Sequence, residues 1–117
     1  MTKTAVIFAR GKDIEKQIER GRQHAENKGY SVEGVIVGQG HELPEIIKGL
    51  GKGIDRVIVS HISRISRNAL ECYTIQANLE IDCGAMVEVA TEKPVDEVAE
   101  RFMQRVIMAV KEYEAGV

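Results

Sequence analysis

The stretch VIVSHISRISRN, residues 57–68, opens as a short apolar run and closes as a serine-rich connection that carries Arg64 and Arg67. With Arg56 in front, RVIVSHI over residues 56–62 reads as a strand. A nearly unbroken run rich in Val and Ile marks a strand covered on both faces, since a half-exposed strand alternates apolar with polar. Three more runs behave alike: TAVIFA (4–9), VEGVIVG (32–38) and AMVEVA (85–90).

Helical spacing fills the gaps. The first predicted helix runs from about Asp13 to Lys28, with Ile14, Ile18, Gly21 and Ala25 on one stripe and Gly29 as its stop. A short one follows Pro44, a residue suited to the first helical position. A third begins near Asn68, where Asn68 and Glu71 have the offset of a capping box, and continues through Leu70, Tyr73, Ile75 and Leu79. Strand and helix alternate, which predicts an α/β fold in three layers: a mainly parallel sheet of about four strands, order 2-1-3-4, with helices on both faces. Gly49, Gly51 and Gly53 follow a helix and precede a strand, the wrong order for a dinucleotide-binding loop, and read as a helix stop and turn.

From Pro94 to Glu114 a long C-terminal helix is predicted. Val95, Val98, Ala99, Phe102, Met103, Val106, Ile107, Val110 and Tyr113 recur at three and four, with Met108 and Ala109 widening the face. That face exceeds the stripe of about 100° which one sheet covers. Phe102, Met103, Val106, Ile107 and Val110 are therefore candidates for an oligomer interface, burial deep in the chain's own core being the alternative.

The 117 residues suit one domain, 1–117, with no C-terminal DNA-binding domain expected. Sixteen basic and eighteen acidic side chains give a net charge of −2, so any polyanion site has to be a local cluster. Cys72 and Cys83 form no CxxC pair and read as free thiols. His24, His41 and His61 lack metal-ligand spacing, so neither metal nor other cofactor is expected. No apolar run approaches the ~18 residues of a membrane span and no signal-peptide core is present, which predicts a cytoplasmic protein.

In an open parallel sheet, ligands bind beyond the carboxyl ends of the strands, where strand order reverses. For the order 2-1-3-4 that point lies between strands 1 and 3. Arg10 and Lys12 leave the first; Ser63, Arg64 and Arg67 leave the third. Surface pairing of Arg64 and Arg67 with Glu71 or Asp13 is the plain alternative, of small energetic worth. The switch point favours an anion, and the planar guanidinium fork suits phosphate. Ser60, Ser63 and Ser66 lie near His61, but their order and spacing match no catalytic triad or nucleophile elbow. Ser63 and Ser66 read as turn or phosphate contacts. A receiver domain would need acidic strand ends, which these are not.

Taken in order, these residues resemble the catalytic domain of serine recombinases of the resolvase/invertase group. That family opens with a strand ending Tyr-x-Arg-x-Ser and carries a later Asp-Arg-Leu-x-Arg motif. VIFARGK sets Phe8 on the tyrosine and Arg10 on the arginine; VIVSHISRISRN sets Arg64 and Arg67 on the two arginines. Gln17 falls where the family often has glutamine opening the first helix, and TEKP before the long helix is similar to the family's Thr-Pro start of its dimerisation helix. The resemblance spans Thr4 to Tyr113. It implies Arg10, Arg64 and Arg67 as catalytic residues, with Lys12, Gln17 and Ser63 joining them in DNA phosphate binding. It implies DNA as partner, and self-association or pairing with a related recombinase through the C-terminal helix. The implied chemistry is a serine that attacks a DNA phosphodiester while arginines neutralise the phosphoryl oxygens.

Departures shape the expectation. Counted from Arg10, the family serine position holds Lys12, either as a replacement or because the serine loop is shortened. The motif aspartate is Ser63, and HELPEI offers no further arginine before Pro44. Loss of a covalent nucleophile costs on the order of 10⁶ in rate. The expected protein is thus a degenerate recombinase domain, of the kind left by mobile elements, that binds DNA or a recombinase. An active strand-cleaving domain with a non-standard nucleophile and a phosphate-ligand sensor are the alternatives.

Overall fold

A computed structural model describes residues 2–51 and 53–90. The long helix predicted from Pro94, with its Phe102, Met103, Val106, Ile107 and Val110 face, lies outside the described residues. In chain order the elements are β1 (Thr4–Ala9), α1 (Ile14–Lys28), β2 (Ser31–Val37), α2 (Leu43–Gly49), β3 (Arg56–Val59), α3 (Ala69–Cys83) and β4 (Met86–Val89). Two 3₁₀ turns, Gly40–Glu42 and Ile62–Arg64, precede α2 and α3.

The four strands form one parallel sheet in the order β2-β1-β3-β4, as predicted. In the central strands the pleat divides the apolar run between two layers. Val6, Phe8, Val57 and Val59 pack with Leu43, Ile47, Cys72, Ile75 and Leu79 of α2 and α3. Ile7 and Ile58 turn to the other face, with Ala25 of α1. Burial on both sides explains the continuous Val/Ile runs of β1 and β3; the edge strands β2 and β4 are only half covered.

Three features differ from the sequence reading. The inward face of α1 is Gln17, Gly21, His24 and Ala25, while Ile14 and Ile18 are only half-buried. Two polar side chains displace the apolar ones because each finds partners inside. Gln17 bonds the β1–α1 loop, and His24 Nε2 meets Glu88 Oε2 of β4 at 2.6 Å. β3 stops at Val59 rather than Ile62, because the imidazole of His61 accepts the Ser63 N–H and starts a 3₁₀ turn. Leu70 is 63% exposed, since α3 turns Cys72, Ile75 and Leu79 inward instead.

The helix signals are otherwise as read. Gly29 ends α1 in the left-handed region, and Asn68 Oδ1 accepts the Glu71 N–H at 2.9 Å to start α3. The reciprocal half of that cap comes from Ser66, whose hydroxyl accepts the Asn68 N–H at 3.1 Å. Gly49 closes α2 and the chain turns at Gly51 before β3. Cys72 is buried, Cys83 half-buried, and both are free. No helix among the described residues is long and apolar enough to cross a membrane.

Candidate phosphate-binding site

The reversal of strand order falls between β1 and β3, and both strands deliver their side chains to the same end of the sheet. β1 ends in the buried Ala9, after which the chain turns sharply through Arg10–Asp13. Two residues of that turn are left-handed: Gly11 at φ 84° and Asp13 at φ 57°. A turn with such a backbone needs support, and Gln17 supplies it. Only 3% exposed, it accepts the Arg10 N–H through Oε1 at 3.0 Å. Its Nε2 donates to the carbonyls of Arg10 (2.8 Å) and Lys12 (2.6 Å). Both amide hydrogens are thereby used, which is why a polar side chain is stable in that position.

The arginines brace the turn to β3. Arg10 Nη2 donates to the Ser63 carbonyl at 2.9 Å, and Arg64 Nη1 donates back to the Arg10 carbonyl at 3.2 Å. Gly11 is shaped for this contact as well: a Cβ there would sit 3.1 Å from Arg64 Nη1. Each guanidinium spends one donor on a backbone carbonyl and is held in place by it. Arg64 Nε is buried without a partner among the described residues. No carboxylate among the described residues forms an ion pair with Arg10, Arg64 or Arg67, so Asp13 and Glu71 do not neutralise them.

The remaining site residues are placed unevenly. Lys12 lies exposed on the turn, its backbone carbonyl accepting from Gln17 Nε2. Arg67 is exposed on the bend just before α3. Phe8 is fully buried in the α2–α3 core and takes no part in the crevice. Ser63 belongs to the 3₁₀ turn and holds two contacts with the extended, exposed His61. Its N–H donates to His61 Nδ1 at 3.2 Å, and its Oγ lies 2.9 Å from the same nitrogen. The sequence pattern did not disclose this pair, because residues two apart in a strand share a face without meeting; the turn brings them together. Among the described residues no cluster of His, Cys, Asp or Glu could hold a metal ion.

A family model of the resolvase N-terminal domain matches residues 7–117. The chain belongs to that family. Solved resolvase-family structures share its fold. The N-terminal catalytic domain of TP901-1 integrase superposes with a TM-score of 0.71 at 19% identity, covering 97% of this chain and 98% of that one. A resolvase family site-specific recombinase from Streptococcus pneumoniae gives a TM-score of 0.73 at 21% identity, covering 98% and 89%. No curated protein matches. The strand order is that of a resolvase-type domain. A resolvase domain is associated with site-specific recombination, and in this chain Arg10 and Arg64 share one hydrogen-bonded frame at the switch point.

Proposed function

We propose that this resolvase-type domain binds DNA phosphate in the β1–β3 crevice and has lost the family's serine chemistry at position 12. Arg10 and Arg64 grip the phosphoryl oxygens, Arg67 and Lys12 extend the basic surface along the backbone, and Gln17 keeps the turn in shape. The observation that carries this reading is the pair of guanidiniums braced on backbone carbonyls, with an unsatisfied Arg64 Nε and no carboxylate partner among the described residues. Such a frame lowers the ordering cost of gripping an anion, because the side chains are held before it arrives. Lys12 presents an ammonium where the family has its nucleophile; it attracts phosphate but forms no stable ester with it. Self-association, or pairing with a related recombinase, runs through the Phe102–Val110 face. The domain acts in the cytoplasm on DNA and needs no cofactor.

Titration into labelled duplex DNA across a salt series tests the binding. Log K is expected to fall by about 0.9 per log unit of salt for each phosphate neutralised, and Arg64→Ala should lower that slope by about one. Arg64→Ala/Arg67→Ala should abolish measurable binding. Equal binding by the double variant would overturn the reading, as would saturable binding of a phosphorylated small molecule that excess DNA fails to displace. Phe102→Glu/Val106→Glu should yield monomers by sedimentation; a wild type already monomeric at high concentration would remove the association claim.

A further inference from the structure

We infer that His61 is a positioning residue for the phosphate crevice. It holds Arg10 and Arg64 in place only while its imidazole is neutral, so DNA binding is released as pH falls. The inference rests on DNA phosphate occupying the site proposed above. The imidazole is the cap of the Ile62–Arg64 turn, its Nδ1 accepting the Ser63 N–H at 3.2 Å. A backbone N–H can only donate, so Nδ1 carries a lone pair there and the ring proton sits on Nε2. The capped turn is where the two guanidiniums are joined. The Ser63 carbonyl takes Arg10 Nη2 at 2.9 Å, and the next residue, Arg64, returns Nη1 to the Arg10 carbonyl at 3.2 Å. The Arg64 N–H in turn donates to the His61 carbonyl at 3.0 Å. One ring nitrogen therefore orders the short segment through which both cations are braced.

His61 is exposed, so protons reach it freely. Protonation puts a hydrogen on Nδ1, and the nitrogen then has no lone pair for the Ser63 N–H. Ser63 Oγ, 2.9 Å away, accepts the new hydrogen, which leaves the Ser63 N–H without its cap. The charged groups around the ring do not offset this change. Arg10 and Lys12 of the β1–α1 turn, and Arg64 and Arg67 of its own connection, are all cationic. His41 and Glu42 stand on the β2–α2 turn, where a Cβ on Gly40 would meet the Ile65 carbonyl. β4, beside β3, ends in the uncharged Val89 and Ala90. No carboxylate among the described residues pairs with His61. Electrostatics alone has the opposite sign, since an imidazolium near a phosphate adds attraction and would strengthen binding as pH falls.

Labelled duplex DNA is titrated with the full chain at fixed ionic strength from about pH 8 to 5, the range in which imidazoles change charge. Every variant gains positive charge as pH falls, so affinity is read as the ratio of wild type to His61→Asn. Asparagine is a good cap and would still accept the Ser63 N–H, but it does not titrate. The ratio should be near one at the upper end and fall by about 2- to 30-fold at the lower, the usual worth of a cap. His61→Ala, which has no cap, should already show that loss at the upper end, and His41→Asn should keep the wild-type profile. Nitrogen NMR of the imidazole in the DNA-free protein should find the proton on Nε2 at the upper end, with Nδ1 bare. A ratio that stays flat or rises, a fall that His41→Asn removes, or a proton on Nδ1 overturns the inference. Each of these, with binding intact at the upper end, leaves the crevice reading in place; absence of binding there sinks both.

Discussion

Gln17 and Arg10 hold each other by two hydrogen bonds, Arg10 N–H to Gln17 Oε1 at 3.0 Å and Gln17 Nε2 to the Arg10 carbonyl at 2.8 Å. With the third bond to the Lys12 carbonyl, they fix the turn from which both cations project. Gln17→Leu keeps the bulk but leaves those backbone groups without their partner, which should cost about 1–3 kcal/mol. Urea unfolding measures the stability loss. DNA affinity should fall further than in a variant of equal instability placed elsewhere, because the turn carries Arg10.

Gly11 separates strain from crowding. Gly11→Ala should pay about 1–2 kcal/mol for a left-handed backbone and also press on Arg64 Nη1, 3.1 Å from the new Cβ. Gly51→Ala is the control, with φ 63° and nothing within 4 Å. Both should lose stability to a similar degree; only Gly11→Ala should weaken DNA binding. Equal binding by the two variants would mean that Arg64 does not need its present place.

Away from the crevice, Glu88 gathers three partners. His24 Nε2 lies 2.6 Å from Oε2, Tyr30 Oη donates to Oε1 at 3.0 Å, and Arg56 Nε is 3.7 Å from Oε1. Glu88→Ala leaves a buried imidazole unpaired, and a His24→Ala/Glu88→Ala double-mutant cycle should return a coupling of about 0.5–3 kcal/mol. DNA affinity should not change. A coupling near zero would show that the pair is held by its surroundings.

Burial pushes the Cys72 thiol above its ordinary 9.0. The unfolded chain therefore sheds this proton first, from about pH 9.0, while the folded chain still holds it. Stability from this group is complete below that pH and declines as pH rises, until the buried thiol itself ionises. The slope is at most about 1.4 kcal/mol per pH unit. Tyr30 is raised in the same sense, by burial and then by its bond to Glu88, and should extend the decline further. Chemical unfolding at pH 8, 9 and 10 should show the fall, and Cys72→Ala should flatten its first part.

The layer order and the location of the crevice were legible in the chain because they depend on local repeats. Runs of Val and Ile buried on both faces announced β1 and β3, Asn68 announced α3, and alternating strands and helices left few ways to order the sheet. The placement of Arg10 and Arg64 at one end followed from that order. Side-chain pairing did not follow, because it depends on turns of a few degrees that periodicity cannot encode. Gln17 and His24 fall on the inner face of α1 only because partners 64 residues away or across a turn satisfy them. The Arg10–Ser63 and Arg64–Arg10 bonds join residues more than fifty positions apart.

His61 and Ser63 show the division most sharply. By itself the sequence determined that a serine and a histidine lie two apart at the end of a core strand, beside arginines. Whether they meet was decided by the chain leaving the sheet at Val59 and coiling into a 3₁₀ turn. In a strand, side chains two apart stand parallel and do not meet, whereas the turn folds one back onto the other. The apolar pattern specifies which residues are buried; the tertiary structure, by setting where each strand stops, specifies which polar groups touch.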